Sequence, residues 1–289
     1  MTETSLAQTA DNATRNNPRH ESNWRSKVRN QRTSMLHASQ VLIGVIGVGV
    51  WEVLTRMGLI DPFFIAPPSE IMVRLGEWIR DGSIWNHLGV TMLESFLALV
   101  IGGVLGLAVG FLLGRVRFLA DLLDPYIKIS NAMPRVVLAP LFLLWFGLGI
   151  WSKVVLGVTL VFFIVFFNTY QGIREVDRVL IDNSRMLHAS ERQLLRHVYL
   201  PSALTWIFAS LHVSVGFAIV GAVIGEYLGA SRGMGYMIAQ AQGTFDTAGV
   251  FAGLVLLAVV VSVIDVLVHR VERHLLRWKP DIAVSGGAM

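Results

Sequence analysis

Six long apolar runs, spread along a chain of 289 residues, leave few folds open to this sequence. They cover residues 41–59, 90–113, 127–150, 154–170, 206–228 and 250–268. A helix needs about 20 mostly apolar residues to cross the roughly 30 Å hydrocarbon core of a bilayer. The composition agrees, because only 15% of the residues are charged, against about 25% in soluble domains. The sequence therefore predicts an all-α membrane protein with about six transmembrane helices.

The positions of lysine and arginine predict how these helices cross the membrane, because basic residues concentrate in short cytoplasmic loops. They crowd the segment before the first run, the loops after the second and fourth runs, and the C-terminal tail. Both termini and the long fourth loop are therefore expected in the cytoplasm, and topology accounts for the positive charge without a nucleic-acid partner. The predicted domains are a disordered cytoplasmic tail over 1–38, a transmembrane domain over 39–279 and a flexible tail over 280–289.

Composition and motifs exclude most enzyme chemistry for this chain. It has no cysteine, which excludes disulfides, thiolate metal ligands and cysteine nucleophiles. No apolar run carries His, Asp and Glu at metal-ligand spacing, so no metal site is expected. A G-x-S-x-G pattern surrounds Ser231, but an apolar helix precedes it where a hydrolase has a strand. The P-loop pattern G-x-x-x-x-G-K-[ST] is missing from the sequence. We expect no catalytic residue, no cofactor and no ATP site in this chain.

A glycine recurs at every fourth position of the second run. The four residues are Gly102, Gly106, Gly110 and Gly114. They fall near one face of a helix, where the missing side chains allow another helix to approach closely. Tight helix packing is the simpler interpretation. A seam along which helices slide past each other is the functional alternative, and the sequence does not separate the two.

Polar residues in the third run and after the fifth are candidates for a pathway or a gate. Two prolines break the third run, and broken membrane helices persist where they face protein or a watery cavity. Arg135 either extends toward the bilayer surface or lines a pathway that favours anions. Glu226 precedes a glycine-rich stretch over 229–235 that contains Ser231. That stretch is predicted to be either a hinge or gate lip, or a plain turn.

The fourth loop, residues 173–205, is too long for a simple connection between helices. It predicts two short amphipathic helices, one through 185–187 and another that starts with Ser190 as cap and Gln193 three residues later. Leu194, Leu195 and Val198 would form an apolar face among charges. A solvated connector is the simpler interpretation. A docking surface for a cytoplasmic partner is the functional one, which the length and the apolar face favour.

The same loop resembles the signature of the permease subunits of binding-protein-dependent ABC importers. That signature is Glu-Ala-Ala, three residues, glycine, nine residues, isoleucine, one residue and Leu-Pro. The matching positions are Asp182, Asn183, Ser184, His188, Val198, Leu200 and Pro201. The spacing fits without a gap, although Asp-Asn-Ser replaces the triplet and His188 replaces the glycine of the turn. The resemblance implies an ATPase-coupling loop formed by these residues and four more. Those four are Ala189, Glu191, Arg192 and Leu195.

The resemblance extends over roughly residues 60–279 and is closest to the nitrate, sulfonate and taurine branch of these permeases. The segments that carry it are IAPPS at 65–69, LDP at 123–125, APL at 139–141, LWFG at 144–147, NTY at 168–170, GEYLGA at 225–230, FDT at 245–247 and ERHLLRW at 272–278. These segments occur in order along most of the chain, so the resemblance does not depend on one motif.

The resemblance implies a multi-pass protein of the bacterial cytoplasmic membrane with the bundle fold of type I ABC importers. Its implied partners are a second permease chain in a homodimer, a cytoplasmic subunit that binds ATP and Mg, and a periplasmic or lipid-anchored solute-binding protein. The expected function is import of a small solute by alternating access. An organic anion such as an aliphatic sulfonate, taurine or nitrate is the expected solute. The alternative is an ATP-independent secondary carrier or channel, which acid relays or repeated broken helices would favour.

Overall fold

The computed structural model describes residues 18–275, and within that range the chain is helical with no strand. This confirms the predicted all-α fold. The first helix, α1, spans Pro18–Arg56 and belongs to a structural unit of its own that ends at Pro68. The second unit begins at Ser69, the second residue of α2 (Pro68–Arg80). It also contains α3 (Ser83–Arg115), α4 (Arg117–Ala132), α5 (Ala139–Phe146), α6 (Ile150–Arg174), α7 (Arg178–Met186), α8 (Glu191–Leu194), α9 (Leu200–Leu228), α10 (Met234–Gly243) and α11 (Thr247–Leu275).

The α1 helix is apolar enough to span a bilayer only in its second half, over Ser39–Arg56. There Glu52 forms an i,i+4 ion pair with Arg56 at 2.5 Å, which neutralises the negative charge of Glu52 in this span. Residues 18–38 form the first part of the α1 helix, in which no glycine or proline lies between positions 19 and 38. Residues 1–17 and the predicted flexible tail over 280–289 lie outside the described residues.

Within residues 18–275, five helices are long and apolar enough to cross a bilayer, namely α1, α3, α6, α9 and α11. A sixth span results if α4 and the segment Arg135–Phe146 count as one helix that is bent by 81°. The prediction of about six spans is confirmed in this sense. The longest of them in the second unit, α3, has 33 residues. At 1.5 Å per residue it extends for about 50 Å, more than the hydrocarbon core requires.

The third predicted run, 127–150, differs most from the expected single span. The chain leaves the helical conformation at Met133, because a proline disfavours that conformation in the residue before it, and Pro134 follows. A 3₁₀ turn over Arg135–Leu138 then leads into α5. Pro140 lies in the first turn of α5, where its missing N–H leaves no helical bond unmade. The run therefore consists of two helices joined by a proline bend.

A long, close helix contact in the second unit follows the glycine stripe. Gly102 faces Val161, Gly106 faces Val165, Gly110 faces Thr169 and Gly114 faces Ile173, all on α6. A Cβ atom on any of the four glycines would lie within 2.9 Å of an α6 atom. Only a residue without a side chain fits at these positions, so the backbone of α3 packs directly against the side chains of α6 along the whole stripe.

Candidate functional site

The loop over 173–205 contains α7, α8 and a wide turn that continues directly into α9. Asp177 caps α7 by accepting the Val179 N–H at 2.8 Å. At the start of α8, the Ser190 N–H donates to Oε1 of Gln193 at 2.8 Å, and the Gln193 N–H donates back to Oγ of Ser190 at 3.4 Å. This is the capping box that the spacing predicted, and it confirms the start of the second loop helix.

His188 lies in the turn between α7 and α8 with a backbone φ of 59°, in the left-handed region. The importer signature has glycine at this position, and glycine adopts such a φ freely. A residue with a Cβ atom does so at a cost of about 1–2 kcal/mol. The turn is formed here in spite of the substitution, and the backbone N–H groups of His188 and Ala189 donate to the carbonyls of Arg185 and Ser184.

Glu191 connects the loop to the bundle. Its carboxylate pairs with Arg115 at the C-terminal end of α3, and with Arg185 of α7 at 3.4 Å. The guanidinium of Arg115 also lies 5.4 Å from the ring centre of Tyr199. These contacts place the loop against the C-terminal end of α3, which we call the loop end of the bundle. The N-terminal end of α3 is the far end.

Exposed apolar side chains lie on α7 and at the tip of the loop. The exposed fractions are 82% for Leu187, 77% for Met186, 62% for Val179 and 53% for Leu180. The face that the sequence assigned to docking is more enclosed, since Leu194 is fully buried and Leu195 and Val198 are half-buried. The apolar surface free for a partner is therefore on α7 and the tip, which sequence reasoning missed.

The other residues of the predicted coupling loop are spread over its elements, and each is exposed or half-buried. Asp182, Asn183 and Ser184 lie in α7, Ala189 in the turn, Arg192 in α8, and Leu200 and Pro201 at the start of α9.

Arg135 lies at mid-depth in the bundle. Its guanidinium is 4.2 Å from the ring centre of Phe163, which is about 20 Å from the start of α6 and about 17 Å from its end. It donates to the side chain of Asn131 and, at 3.3 Å, to the Asn131 carbonyl. Its buried Nε has no hydrogen-bond partner among residues 18–275. This position favours the pathway interpretation over extension toward the bilayer surface.

Glu226 is 1% exposed and lies at the far end, where three successive backbone N–H groups begin α10. The Gly233 N–H donates to Nδ1 of His87 at 3.0 Å, the Met234 N–H to Oγ1 of Thr91 at 2.8 Å, and the Gly235 N–H to Oε2 of Glu226 at 2.8 Å. Helix N-termini leave such groups without intrahelical partners. Side chains of α3 and α9 satisfy them here.

Gly233 is required by this arrangement. Its φ is 112°, a conformation that side chains rarely adopt, and a Cβ atom there would overlap the Glu226 carboxyl group. The glycine-rich stretch over 229–235 is thus fixed against Glu226, while Ser231 remains exposed on its outer surface.

Two further charged residues lie beside Glu226, and sequence reasoning did not single them out. Glu94 of α3 is 2% exposed and Lys153 of α6 is 1% exposed. The Lys153 ammonium donates to the carbonyls of Leu148 at 2.6 Å and Gly149 at 3.0 Å. The available signal was the presence of two acids, Glu94 and Glu226, inside apolar runs, since buried ionisable residues in membrane helices require partners.

A separate polar contact joins α9 and α11. Nε2 of His212 lies 2.9 Å from Oδ1 of Asp265, and the ring of His269 is 6.4 Å from that of His212. In the part of the chain that the structure describes, no group of three or more His, Asp or Glu side chains is arranged to hold a metal ion.

Comparison with known families shows which family has this sequence and helix arrangement. Residues 71–277 match the family described as "Binding-protein-dependent transport system inner membrane component". The chain belongs to this permease family. The match and the apolar helices together make the permease a multi-pass inner-membrane protein.

Relatives of the permease are transport proteins of the branch that the motifs indicated. A putative aliphatic sulfonates transport permease of Bacillus subtilis (strain 168) is 34% identical over 239 residues, 83% of this chain and 87% of the relative. The taurine transport system permease of Escherichia coli (strain K12) is 28% identical over 264 residues, with coverage of 90% and 94%. The predicted branch is confirmed, and the permease is a transport subunit rather than an enzyme.

Solved ABC transporters share the fold. An inward-facing methionine ABC transporter matches with a TM-score of 0.58 at 22% identity, over 68% of the permease and 96% of that chain. An amino acid ABC transporter solved with histidines matches with a TM-score of 0.53 at 18% identity, over 71% and 98%. At such identities the likeness establishes the helix bundle and nothing about the solute.

Proposed function

We propose that this permease is the membrane-spanning subunit of an ATP-driven importer and works as a homodimer. A cytoplasmic subunit that binds ATP and Mg docks on the loop over 173–205, and a periplasmic or lipid-anchored binding protein delivers the solute on the opposite side. The permease itself binds no cofactor. The positive-inside distribution of basic residues supports this orientation, with both termini and the loop in the cytoplasm.

The observation that carries the proposal is the geometry of the loop. It keeps the signature spacing, forms the turn at His188, and presents Met186 and Leu187 at its tip. Side chains exposed to this extent on a charged loop mark an interaction surface. The contacts of Glu191 with Arg115 and Arg185 would pass a movement of the docked ATPase to α3, which shifts the bundle between inward and outward access.

The proposed solute is a small organic anion, such as an aliphatic sulfonate, taurine or nitrate. Two observations support this class. The names of two relatives specify aliphatic sulfonates and taurine. Arg135 adds a guanidinium at mid-depth whose Nε donor is unpaired among the described residues. A guanidinium binds sulfonate and similar oxyanions through two parallel N–H donors.

The test begins with the tagged permease extracted from its native membranes in mild detergent. An ATP-binding subunit recovered at an equal molar amount supports the importer. Recovery of the folded, oligomeric permease alone would contradict it and would favour an ATP-independent carrier. The complex, reconstituted with its binding protein, is then expected to take up labelled taurine or an alkanesulfonate only when ATP is present. Uptake of an uncharged solute in their place would refute the anion class.

A further inference from the structure

The far end of the bundle contains an acid pair, Glu94 and Glu226, that the transport function leaves unexplained. Both residues are almost fully buried, and their carboxyl groups lie within hydrogen-bonding reach of each other. They come from different helices, α3 and α9. Lys153 of α6 is the basic group that acts on both carboxyl groups.

Charge and hydrogen bonding together constrain the protonation of the acid pair. If both carboxyl groups were ionised, Lys153 would balance one charge and leave the other buried without compensation, which is costly in a membrane. A carboxylate has no hydrogen to donate, so a hydrogen bond between two carboxyl groups requires a proton on one of them. Both arguments give the same count of one proton for the pair.

The surroundings of the two carboxyl groups differ in which protonation state they favour. Glu226 accepts the Thr91 hydroxyl at 2.7 Å and the Gly235 N–H at 2.8 Å. It also lies at the positive end of the α10 dipole, so its environment suits an anion. Glu94 has a buried oxygen, Oε2, that accepts no hydrogen bond within residues 18–275. Its environment suits a neutral acid.

We propose that the acid pair binds one proton inside the membrane, with Glu94 as the protonated donor and ionised Glu226 as the acceptor. This proton keeps the N-terminus of α10 attached to α3. Its loss leaves two adjacent carboxylates that repel each other, so the stretch over 229–235 detaches as the pH rises.

The other ionisable groups near the acid pair must be distinguished from it as the pH rises. His87 accepts the Gly233 N–H on Nδ1 and is therefore neutral, so raising the pH from neutrality does not change it. Arg232 is the charged residue of the turn beside His87. Two other ionisable groups lie nearby, namely Lys153 and Tyr236, whose ring stacks on that of His87 with the ring centres 5.8 Å apart. Removing the Glu94 carboxyl alone separates their contribution from that of the acid pair.

Infrared spectroscopy of the full chain in lipid nanodiscs tests for the proton directly. The carbonyl stretch of a protonated carboxylic acid is expected at neutral pH, where exposed carboxyl groups are ionised. It should disappear in Glu94→Gln and persist in Glu70→Gln, which changes an exposed acid of α2. A band that Glu94→Gln leaves unchanged, or no band at all, would overturn the proposal.

A spin label tests the attachment of α10. Because the chain has no cysteine, Ser231→Cys provides a single labelling site on the exposed turn. We expect the label to become mobile as the pH rises, while a label on Asn86→Cys in α3 does not. Adding Glu94→Gln should abolish the response, because the amide donates to Glu226 at every pH. An equal response with and without Glu94→Gln would assign the titration to another group and refute the acid pair. Neither measurement depends on the ATPase or the solute.

Discussion

The hydroxyl of Thr91 donates a 2.7 Å hydrogen bond to Glu226, which lies 135 residues later in the chain. The same hydroxyl oxygen accepts the Met234 N–H at 2.8 Å. One buried side chain therefore joins α3, α9 and α10, and it fills both its donor and its acceptor role inside the membrane-spanning bundle. The first prediction follows from this double role.

Thr91→Val keeps the shape of the side chain and removes both hydrogen bonds. Each buried polar group left unpaired costs about 1–3 kcal/mol, so we expect a clear fall in thermal stability. The melting of the purified chain is measured by tryptophan fluorescence. Thr159→Val is the matched control, because the Thr159 hydroxyl donates only to Leu156 of its own helix. Equal melting temperatures for the two variants would show that the connection contributes no stability.

Gly106→Ala is expected to destabilise the bundle by about 1–3 kcal/mol through overpacking. The added Cβ atom would lie 2.8 Å from the Phe162 carbonyl oxygen, and backbone cannot move aside as a side chain can. Gly103→Ala, three positions earlier on the same helix, would meet nothing nearer than 4.0 Å. It should be neutral or slightly stabilising in the same thermal measurement. Similar losses of stability for both variants would mean that the stripe glycines are no closer to α6 than Gly103 is to its neighbours.

His188→Gly should stabilise the loop, because glycine adopts the left-handed φ without the cost of about 1–2 kcal/mol. We expect slower cleavage of the loop by a protease added to the detergent-solubilised permease. Ala189→Gly serves as the comparison, since the neighbouring residue has no positive φ and glycine there only adds freedom to the unfolded loop. Faster cleavage of His188→Gly would indicate that the histidine makes a compensating contact.

Leu187→Asp should release the ATP-binding subunit during purification while the permease still inserts and folds. The side chain is 82% exposed, so the change removes apolar docking surface without opening a cavity. Charge reversal at Glu191 would be less informative, because Glu191 holds the loop to Arg115. Phe245→Asp, 74% exposed in the turn between α10 and α11, is the control. Full retention of the ATPase by Leu187→Asp would place the docking surface elsewhere.

Arg135→Gln should raise the apparent substrate constant of anion uptake with little effect on stability, because the guanidinium contacts one ring face and one asparagine. Lys128→Gln is the control, since Lys128 is engaged by Asp124 at 2.7 Å and is exposed. Uptake kinetics in proteoliposomes distinguish the two. An unchanged substrate constant in Arg135→Gln would remove this residue from the pathway.

Local patterns in the sequence predicted the structure where neighbours along the chain determine it. The capping box of Ser190 and Gln193 and the proline break before Arg135 depend on residues within a few positions of each other, so their spacing is visible in the sequence. The close packing along the glycine stripe was equally predictable, because one helical period determines which residues share a face.

The buried network at the far end was not predictable in this way. Thr91, Glu94, Lys153 and Glu226 come from three helices, and no spacing in the sequence connects them. Lys153 lies near the start of a span, a position typical of a loop-proximal basic residue, although its side chain is buried. The apolar tip at Met186 and Leu187 was missed because local amphipathicity favoured Leu195 and Val198, which the fold partly encloses.

The glycine stripe of α3 has a consequence for which parts of the bundle can rearrange. Its four glycines have no rotamers, and the residues they face on α6 are Val161, Val165, Thr169 and Ile173. All four are β-branched and stiff about χ1 in a helix. Such an interface loses little side-chain entropy when it forms. Its side chains also have no alternative rotamers that would allow the two helices to pack in a second arrangement. Helices α3 and α6 are therefore expected to keep one packing throughout, so that any rearrangement of the bundle takes place at other helix contacts.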